Sequence, residues 1–308
     1  MKTVAIIGLG RISKHYINGL QASNKLKVIA VCDQDASKND RELFGKIPFF
    51  VDYQSMLNSK FKPDYVIIAT PPKAHFPIAK WCLQNGTSVI IEKPVTLNIL
   101  DLQKLFSLAK ENNLDFQVMY HWQNGEEIPF LKERCFVSPI KKISVCVLDP
   151  YSDDGVTINE DKLGLEGAWI DSGVNSLSYA KTFLPFESVL LKSVQIKRCE
   201  KSNLPIYANC TLLIDQTEVE IKVDWTKGVN SKTSEILLTN GEKIVVSHSN
   251  QTVTIGEEVF NFNKMERLAT HYYNYFVYNF NERKIDKQTE KIHSVLFMVR
   301  DHYEKTNS

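Results

Sequence analysis

Residues 2–33, KTVAIIGLGRISKHYINGLQASNKLKVIAVCD, decide the fold class of the N-terminal part of this chain. Val4–Gly8 is an apolar run that predicts a strand, and Arg11–Ala22 has its apolar residues at helical spacing. A second apolar run, Lys27–Cys32, predicts another strand. Buried strands that alternate with helices are typical of a parallel sheet covered on both faces.

The same alternation continues to about residue 120. Further segments with helical spacing are Asp40–Phe44, Asp52–Asn58, His75–Gln84 and Leu100–Glu111, and further apolar runs are Tyr65–Thr70, Ser88–Ile91 and Phe116–Met119. Asn85-Gly86 is a typical helix C-terminal signal. We therefore predict an α/β domain over residues 1–120 with a doubly wound parallel sheet, which is the Rossmann architecture.

After residue 120 the pattern changes to short strand-like segments. These are Lys142–Leu148, Leu190–Arg198, Tyr207–Ile214, Glu218–Trp225, Glu235–Leu238 and Lys243–Ser247. Links this short cannot form crossovers, and Asn240-Gly241 predicts a two-residue hairpin turn. We predict a C-terminal α+β domain over residues 121–308, with an open, largely antiparallel sheet and helices near its end.

Composition narrows the class of protein. The chain has 308 residues, 43% of them hydrophobic, and a formal net charge of +1. Such a balance argues against nucleic-acid binding, and no apolar run reaches the roughly 18 residues of a membrane helix. The six cysteines form no CxxC pair, so we expect reduced thiols, no metal site and a cytoplasmic location.

A glycine turn follows the first strand and opens the first helix. In Gly8-Leu9-Gly10-Arg11-Ile12-Ser13, the first glycine permits a tight turn and the second lets a pyrophosphate approach the backbone. The helix N-terminus supplies amides and the positive end of its dipole. The turn therefore predicts dinucleotide binding at Gly8, Gly10, Arg11 and Ile12.

An acid at the end of the second strand supports this prediction. The Asp33 carboxylate would accept hydrogen bonds from ribose hydroxyls and repel a 2′-phosphate, which favours NAD, with NADP possible. Thr70 and Pro71 end another strand at the same carboxyl edge of the sheet, where loops line a cofactor crevice. Lys93 follows the next strand, and its ammonium would stabilise a developing alkoxide.

Three motifs together resemble the glucose-fructose oxidoreductase / inositol dehydrogenase (Gfo/Idh/MocA) family of sugar and cyclitol oxidoreductases. They are GLGRIS at residues 8–13, ATPPKAH at residues 69–75 and NGTSVIIEKP at residues 85–94. The resemblance implies an NAD(P) cofactor contacted by residues of these motifs, including His75, Glu92 and Lys93. It further implies that Lys93 is catalytic and that the Lys93-Pro94 peptide is often cis.

The family's second motif, D-x-G-x-H, has a counterpart at residues 171–175, DSGVN. Asp171 and Asn175 stand four apart, so a helix presents both on one face. Asn175 stands where most family members have histidine, and an asparagine cannot take up a proton. Either another group accepts the proton, or the chain has lost catalysis.

DSGVNSLS at residues 171–178 is similar to a stretch of the aldose 1-dehydrogenases that act on L-arabinose and D-galactose. This resemblance implies oxidation of the anomeric hydroxyl to a lactone, with Lys93, Asp171 and Asn175 in the catalytic group. It also implies substrate contacts from His121, Asp149, Asp171 and Asn175. The chain departs from that branch at Ser172, where the branch has proline, and at Asp149, where glutamate is expected.

Two alternatives stay open at this point. The same fold can act on a cyclitol, a nucleotide-linked sugar or another hydroxy compound, although four acidic residues of the segment 151–164 disfavour phosphorylated substrates: Asp153, Asp154, Glu160 and Asp161. A non-catalytic protein that senses a sugar or the cofactor is the second alternative. The remaining histidines, His15, His248, His271, His293 and His302, are interpreted as structural or solvated.

The partners we expect are a small sugar or polyol and further copies of the chain, but neither nucleic acid nor a membrane. Large apolar residues of the predicted antiparallel sheet, such as Trp225 and Leu237, favour a homo-oligomer, either a dimer or a tetramer.

Overall fold

The structure is a computed structural model that describes residues 1–152, 155–282 and 284–306. The chain divides into two compact units. The first unit consists of Met1–Asn124 and Leu268–Glu290, and the second of Gly125–Arg267 and Lys291–Ser308. Each unit is built around its own sheet.

The first unit contains a six-stranded sheet in which every pair is parallel. Its strands are β1 (Lys2–Ile7), β2 (Leu26–Cys32), β3 (Phe49–Phe50), β4 (Tyr65–Ile68), β5 (Ser88–Glu92) and β6 (Phe116–Met119), in the order β3-β2-β1-β4-β5-β6. The helices between them are α1 (Ser13–Ala22), α2 (Arg41–Phe44), α3 (Tyr53–Asn58), α4 (Pro72–Gln84) and α5 (Ile99–Glu111). The predicted doubly wound parallel sheet is confirmed.

Two local differences have simple causes. Helix α4 begins at Pro72, three residues before the predicted start, because proline suits the first turn of a helix, where its missing N–H is not needed. Strand β3 was not predicted, because two residues are too few to show a period.

The second unit contains an eight-stranded sheet. After helix α6 (Ile128–Val137) come β7 (Ile140–Leu148), a π-helical turn (Trp169–Gly173) that continues into α7 (Val174–Lys181), β8 (Val189–Arg198), β9 (Pro205–Ile214), β10 (Thr217–Asp224), β11 (Ser231–Leu238), β12 (Lys243–Ser247), β13 (Thr252–Ile255) and β14 (Glu258–Asn261). The order is β14-β13-β12-β11-β7-β10-β9-β8. All neighbours are antiparallel except β7 and β10, so the largely antiparallel sheet is confirmed.

Two predictions for this sheet were wrong: the two-residue hairpin turn at Asn240-Gly241 and the contribution of Trp225 to an oligomer surface. The hairpin between β11 and β12 has a loop of residues 239–241, because Leu238 N still donates to Glu242 O at 2.9 Å. Gly241 takes the left-handed conformation in this loop, with φ +89°.

Trp225 lies on the covered side and is 0% exposed, so it cannot contribute to an oligomer surface. Leu237 is half-buried.

The chain ends with α8 (Arg267–Asn274), a π-helical turn (Tyr275–Asn279) and α9 (Gln288–Thr306). Segment 268–290 packs in the first unit, although the division at residue 120 assigns it to the second domain. The reason is a close approach at Gly19 of α1: an added Cβ would lie 2.9 Å from the Phe276 ring and from the Tyr272 carbonyl. Tyr16 also packs edge-to-face on Tyr272, with ring centroids 4.7 Å apart.

Within the described ranges, no helix combines the length and apolar character needed to cross a membrane. All six cysteines are free thiols, four of them buried and two partly exposed.

Candidate active site

The glycine turn lies at the carboxyl edge of the first sheet, between β1 and α1. Gly8 has φ +92°, and an added Cβ would lie 2.7 Å from backbone atoms of Ala69 and Thr70. A side chain there would push apart the ends of β1 and β4. Gly10 differs, since an added Cβ would meet no atom within 4 Å. The backbone at Gly10 therefore borders open space, and any side chain at this position would project into that space.

Asp33 holds this turn in place. Its Oδ2 accepts a hydrogen bond from Leu9 N at 2.7 Å, and its Oδ1 accepts one from Asp35 N at 2.9 Å. A carboxylate has about four acceptor positions, so these bonds leave capacity for ribose hydroxyls. Ser13 Oγ donates to Gly10 O at 2.7 Å, which shows how serine is accommodated at the third position of the motif. The Arg11 side chain is exposed.

His75 joins two loops at the same edge. The ring is 0% exposed, with Nδ1 2.7 Å from Pro94 O and Nε2 2.8 Å from Thr70 O. Burial lowers the pKa of His75, while the two carbonyls oppose that shift. With both nitrogens engaged, His75 supports the loops around Thr70 and Lys93 instead of extending toward a ligand. Thr70 Oγ1 is buried and has no hydrogen-bond partner among the described residues.

Glu92 is a second buried support. Tyr16 OH donates to its Oε1 at 2.9 Å, Tyr272 OH donates to the same oxygen, and Lys93 N donates to Oε2 at 3.3 Å. Burial raises the pKa of Glu92, and these hydrogen bonds oppose that shift. The peptide Lys93-Pro94 that follows is cis, as the family resemblance implied. Lys93 itself is half-buried at the end of β5.

His121 follows β6 and forms a buried pair that was not predicted. Its Nδ1 lies 3.1 Å from Nδ1 of His271, which was interpreted only as structural or solvated. One of the two nitrogens must carry a hydrogen and the other a lone pair. His121 also stacks on Tyr272, with ring centroids 6.5 Å apart, and Tyr272 contacts Glu92. The helical spacing of the aromatic residues around 271 indicates a packing face and gives no signal of this pairing.

In the second unit, Asp171 and Asn175 lie on the π-helical turn and the first turn of α7. Gly173 is needed there because an added Cβ would lie 2.8 Å from the Trp169 ring. Asn175 Nδ2 donates to Asp171 O at 3.3 Å, while Asn175 Oδ1 is buried and has no hydrogen-bond partner in the described part of the chain. An amide oxygen in that position can accept a hydrogen bond from a hydroxyl group.

Asp149, directly after β7, forms a buried ion pair that the sequence did not reveal. Lys232 Nζ on β11 lies 2.6 Å from Asp149 Oδ1, and Ser172 Oγ donates to Asp149 Oδ2 at 3.4 Å. Burial lowers the pKa of Lys232, and Asp149 opposes that shift. Along β11, Lys232 lies on the buried side with Ser234 and Ile236, whereas the strand predicted from the sequence began only at Glu235.

A second polar group lies on the same side of this sheet. His248 Nε2 is 3.0 Å from Ser234 Oγ, and its Nδ1 is 3.6 Å from Glu127 Oε1. Burial lowers the pKa of His248, and the Glu127 carboxylate opposes that shift. Burial also lowers the pKa of Arg267, and the negative charges of Asp149 and Glu127 oppose that shift.

Of the acidic residues in segment 151–164, Asp161 is paired with Lys162, whose side chain is 6% exposed. Asp153 and Asp154 lie outside the described residues. Across the described ranges, no group of three or more His, Cys, Asp or Glu side chains is arranged to hold a metal ion.

The comparisons with known proteins agree with this fold. Residues 2–120 match the family described as "Oxidoreductase family, NAD-binding Rossmann fold". The D-glucoside 3-dehydrogenase of Escherichia coli K12 is 26% identical over 209 residues, which is 64% of this chain and 58% of that protein. The chain therefore spans less than two thirds of the length of this relative.

Solved structures share the fold over nearly the whole chain. A 3-ketoreductase from Actinomadura kijaniata in complex with NADP has a TM-score of 0.80 at 16% identity, covering 97% of each chain. A D-galactose-1-dehydrogenase from Rhizobium etli has a TM-score of 0.77 at 19% identity, covering 96% of this chain and 94% of the other. At these identities the likeness concerns the fold alone.

The fold and the glycine turn define an NAD-binding Rossmann domain of the kind that the oxidoreductase family model describes. Residues 2–120 match the model of the Gfo/Idh/MocA oxidoreductases, in agreement with the three motifs. The residues present fit a dinucleotide: Gly10 borders open space, Thr70 Oγ1 is buried without a partner among described residues, and Asp33 retains acceptor capacity.

Proposed function

We propose that the protein oxidises the anomeric hydroxyl of an aldose resembling arabinose or galactose to the lactone, with NAD or NADP as the acceptor. The family assignment and the DSGVNSLS resemblance support an oxidoreductase of this kind. The observation that carries the proposal is Asn175, where the family motif has histidine. Its amide oxygen is buried with no described partner, so it is suited to accept a hydrogen bond from a substrate hydroxyl.

An asparagine at this position fits anomeric oxidation because the hemiacetal hydroxyl is more acidic than an ordinary alcohol. The reaction therefore demands less of its base. In the proposed step the C1–H bond breaks as a hydride, the hydroxyl proton passes to the Asp171 carboxylate, and C1 becomes the lactone carbonyl. A nicotinamide cofactor, when bound, would supply the hydride acceptor.

The other side chains have distinct parts in this proposal. The Lys93 ammonium stabilises the negative charge that develops on the substrate oxygen, as preorganised charges do in active sites. Asn175 and His121 orient the sugar ring through hydrogen bonds. Gly10 and Asp33 bind the dinucleotide, Gly8 permits the tight turn that carries Gly10, and His75 and Glu92 support the loops that carry Thr70 and Lys93.

A second candidate is oxidation or reduction at another carbon of a sugar or cyclitol. The similarity to a D-glucoside 3-dehydrogenase favours this alternative, because its name places the chemistry at position 3. A secondary ring hydroxyl is less acidic than the anomeric one, so this reaction would place a heavier demand on Asp171 as the base.

The test is the absorbance of reduced nicotinamide with purified protein, NAD or NADP, and matched sugars. L-arabinose and D-galactose are compared with their methyl glycosides, which have no free anomeric hydroxyl and cannot give a lactone. Turnover with the free sugars alone would support the proposal. Equal turnover with the methyl glycosides, or turnover with a cyclitol only, would move the reaction to another carbon. Cofactor binding without any turnover would favour the alternative of a non-catalytic protein that senses a sugar or the cofactor.

A further inference from the structure

The covered side of the second sheet changes from apolar to charged at one end. Ile143, Val145 and Val147 of β7 are buried hydrophobic residues, and Asp149 continues the same alternation at 2% exposure. On the neighbouring strand β11, Lys232 lies opposite Val147 in the register and is 8% exposed. Two opposite charges are thus enclosed together where the strand pattern would otherwise place apolar side chains.

Each member of the ion pair makes a further hydrogen bond. Lys232 Nζ donates to Asp149 Oδ1 and to Asn230 Oδ1, each at 2.6 Å. The second oxygen of Asp149 accepts a hydrogen bond from Ser172 Oγ at 3.4 Å. Ser172 stands between Asp171 and Gly173 in the π-helical turn. The carboxylate of Asp149 therefore connects the sheet lysine to the turn that presents Asp171.

Asp149 and Ser172 are also the two positions at which the chain departs from the aldose 1-dehydrogenase branch that it resembles. The structure joins these departures by a hydrogen bond. A buried ion pair is weak support for stability, since uncharged side chains of similar volume often serve as well. The pair therefore calls for a role other than stability.

We propose that Lys232 and Asp149 are positioning residues that act through Ser172 to fix the π-helical turn carrying Asp171 and Asn175. This inference rests on the proposed roles of Asp171 and Asn175 in proton transfer. It replaces the prediction that Asp149 contacts the substrate directly. A π-helical turn is wider and less regular than an α-helical one, and such turns often occur at functional sites. The hydrogen bond from Ser172 to Asp149, which follows a strand of the sheet, limits the positions that the neighbouring Asp171 can take.

The double variant Asp149→Asn/Lys232→Met tests this, because it removes both charges while keeping similar side-chain volumes. The matched control is Glu235→Gln/Lys243→Met, which removes a 2.7 Å ion pair between β11 and β12 that is largely exposed. For the first variant we expect kcat with L-arabinose or D-galactose to fall by about ten- to a hundredfold, because small misplacements of catalytic groups lower the rate by such factors. The KM for the sugar and the Kd for reduced cofactor should stay within about twofold of the wild-type values.

Amide hydrogen exchange of residues 169–175 provides a readout that needs no substrate. We expect faster exchange in the first variant and unchanged exchange in the control. Ser172→Ala should shift both measurements in the same direction to a smaller extent. Its matched control, Ser176→Ala, removes a hydroxyl that donates to the Ser172 carbonyl one turn earlier and does not contact Asp149, so it should shift neither.

The outcomes separate this inference from the proposed function. If the wild type turns over sugars but the double variant keeps both its kcat and its exchange rates, the inference is overturned. A raised KM with unchanged kcat would also overturn it, because Asp149 would then contact the substrate. If the wild type turns over none of the sugars, the proposed function fails, and unchanged exchange at residues 169–175 would overturn the positioning role independently.

Discussion

At the scale of single residues, the loops near Lys93 are held by side chains that are withdrawn from solvent. His75 contacts the carbonyls of Thr70 and Pro94, and Glu92 accepts hydrogen bonds from two buried tyrosines and from Lys93 N. Buried polar groups with their hydrogen bonds satisfied make a rigid frame. Both residues belong to the motifs that carry the family resemblance, and the structure gives them supporting roles.

The first prediction concerns Lys93→Ala. We expect turnover to fall by roughly 100- to 1,000-fold, because a charge aimed at the developing alkoxide would be lost. The affinity for reduced cofactor, measured by nicotinamide fluorescence, should change little. Lys80→Ala is the control, since Lys80 is an exposed lysine of the same unit on α4. Equal activity in both variants would remove Lys93 from the mechanism.

The second prediction concerns the pH dependence of stability at His75. Burial lowers the pKa of His75 in the folded protein below its ordinary value of 6.5. As the pH falls through about 6.5, the unfolded ring therefore takes up a proton before the folded ring does, and unfolding becomes easier. This contribution to stability is present above about pH 6.5 and is lost toward the folded pKa, at roughly 1.4 kcal/mol for each unit of difference.

Urea unfolding of the wild type and of His75→Gln, measured between about pH 7.5 and pH 5, checks this prediction. The free energy of unfolding should fall less steeply with decreasing pH in the variant. Glutamine, like a neutral imidazole, can donate a hydrogen bond to one of the two carbonyls, but its shape differs, so the comparison rests on the slope and not on the stability at one pH. Parallel curves for the two proteins would show that the ring charges equally in the folded and unfolded states.

At the scale of elements, the turn between β1 and α1 contains two glycines with different tasks. Gly8 is required by the close packing of β1 against the end of β4, and its φ of +92° suits glycine. Gly10 has no neighbour at its open side. The motif shows both glycines as one signal, whereas the structure assigns one to the fold and the other to the space beside the turn.

The third prediction separates these tasks. Gly8→Ala should lower the free energy of unfolding by about 1–3 kcal/mol, because the methyl group clashes with backbone and the conformation is strained. Gly10→Ala should fold with nearly unchanged stability but bind reduced cofactor at least about tenfold more weakly, a loss of about 1.4 kcal/mol. Urea unfolding and nicotinamide fluorescence measure the two effects. Unchanged cofactor affinity in Gly10→Ala would place the dinucleotide elsewhere.

At the scale of the whole molecule, the first unit is completed by a segment from near the end of the chain. Phe276 is 0% exposed and packs edge-to-face on Tyr16, with ring centroids 5.9 Å apart, while its ring also approaches Gly19. Tyr16 and Gly19 both belong to α1, the helix that the glycine turn opens. Residues far apart in the sequence thus share the core of the NAD-binding domain.

The fourth prediction follows from this packing. Phe276→Ala should destabilise the protein by about 3–5 kcal/mol and weaken cofactor binding, because the support of α1 is lost. Phe297→Ala is the matched control, since Phe297 is 4% exposed but belongs to the second unit. It should destabilise without changing the Kd for reduced cofactor in the protein that remains folded. An equal loss of affinity in both variants would contradict the assignment of segment 268–290 to the first unit.

The sequence by itself determined the local features of this protein. The apolar runs and helical spacing predicted the parallel sheet, and the glycine turn predicted the NAD-binding domain; the cis peptide at Lys93-Pro94 was implied by the family resemblance. These features depend on neighbouring residues or on short spacings, which a period or a motif records directly. The roles of Asp171, Asn175, His121 and Asp149 toward a substrate stay predictions.

Only the tertiary structure decided which distant residues meet. It placed β7 between β10 and β11, packed segment 268–290 on α1, and joined His121 to His271 and Asp149 to Lys232. In the sequence, Lys232 is an ordinary lysine of an alternating strand, and nothing nearby indicates an acid 83 residues away. The physical reason is that such pairings depend on the order in which strands assemble and on the free energy of burying particular side chains together. Neither leaves a local period in the sequence.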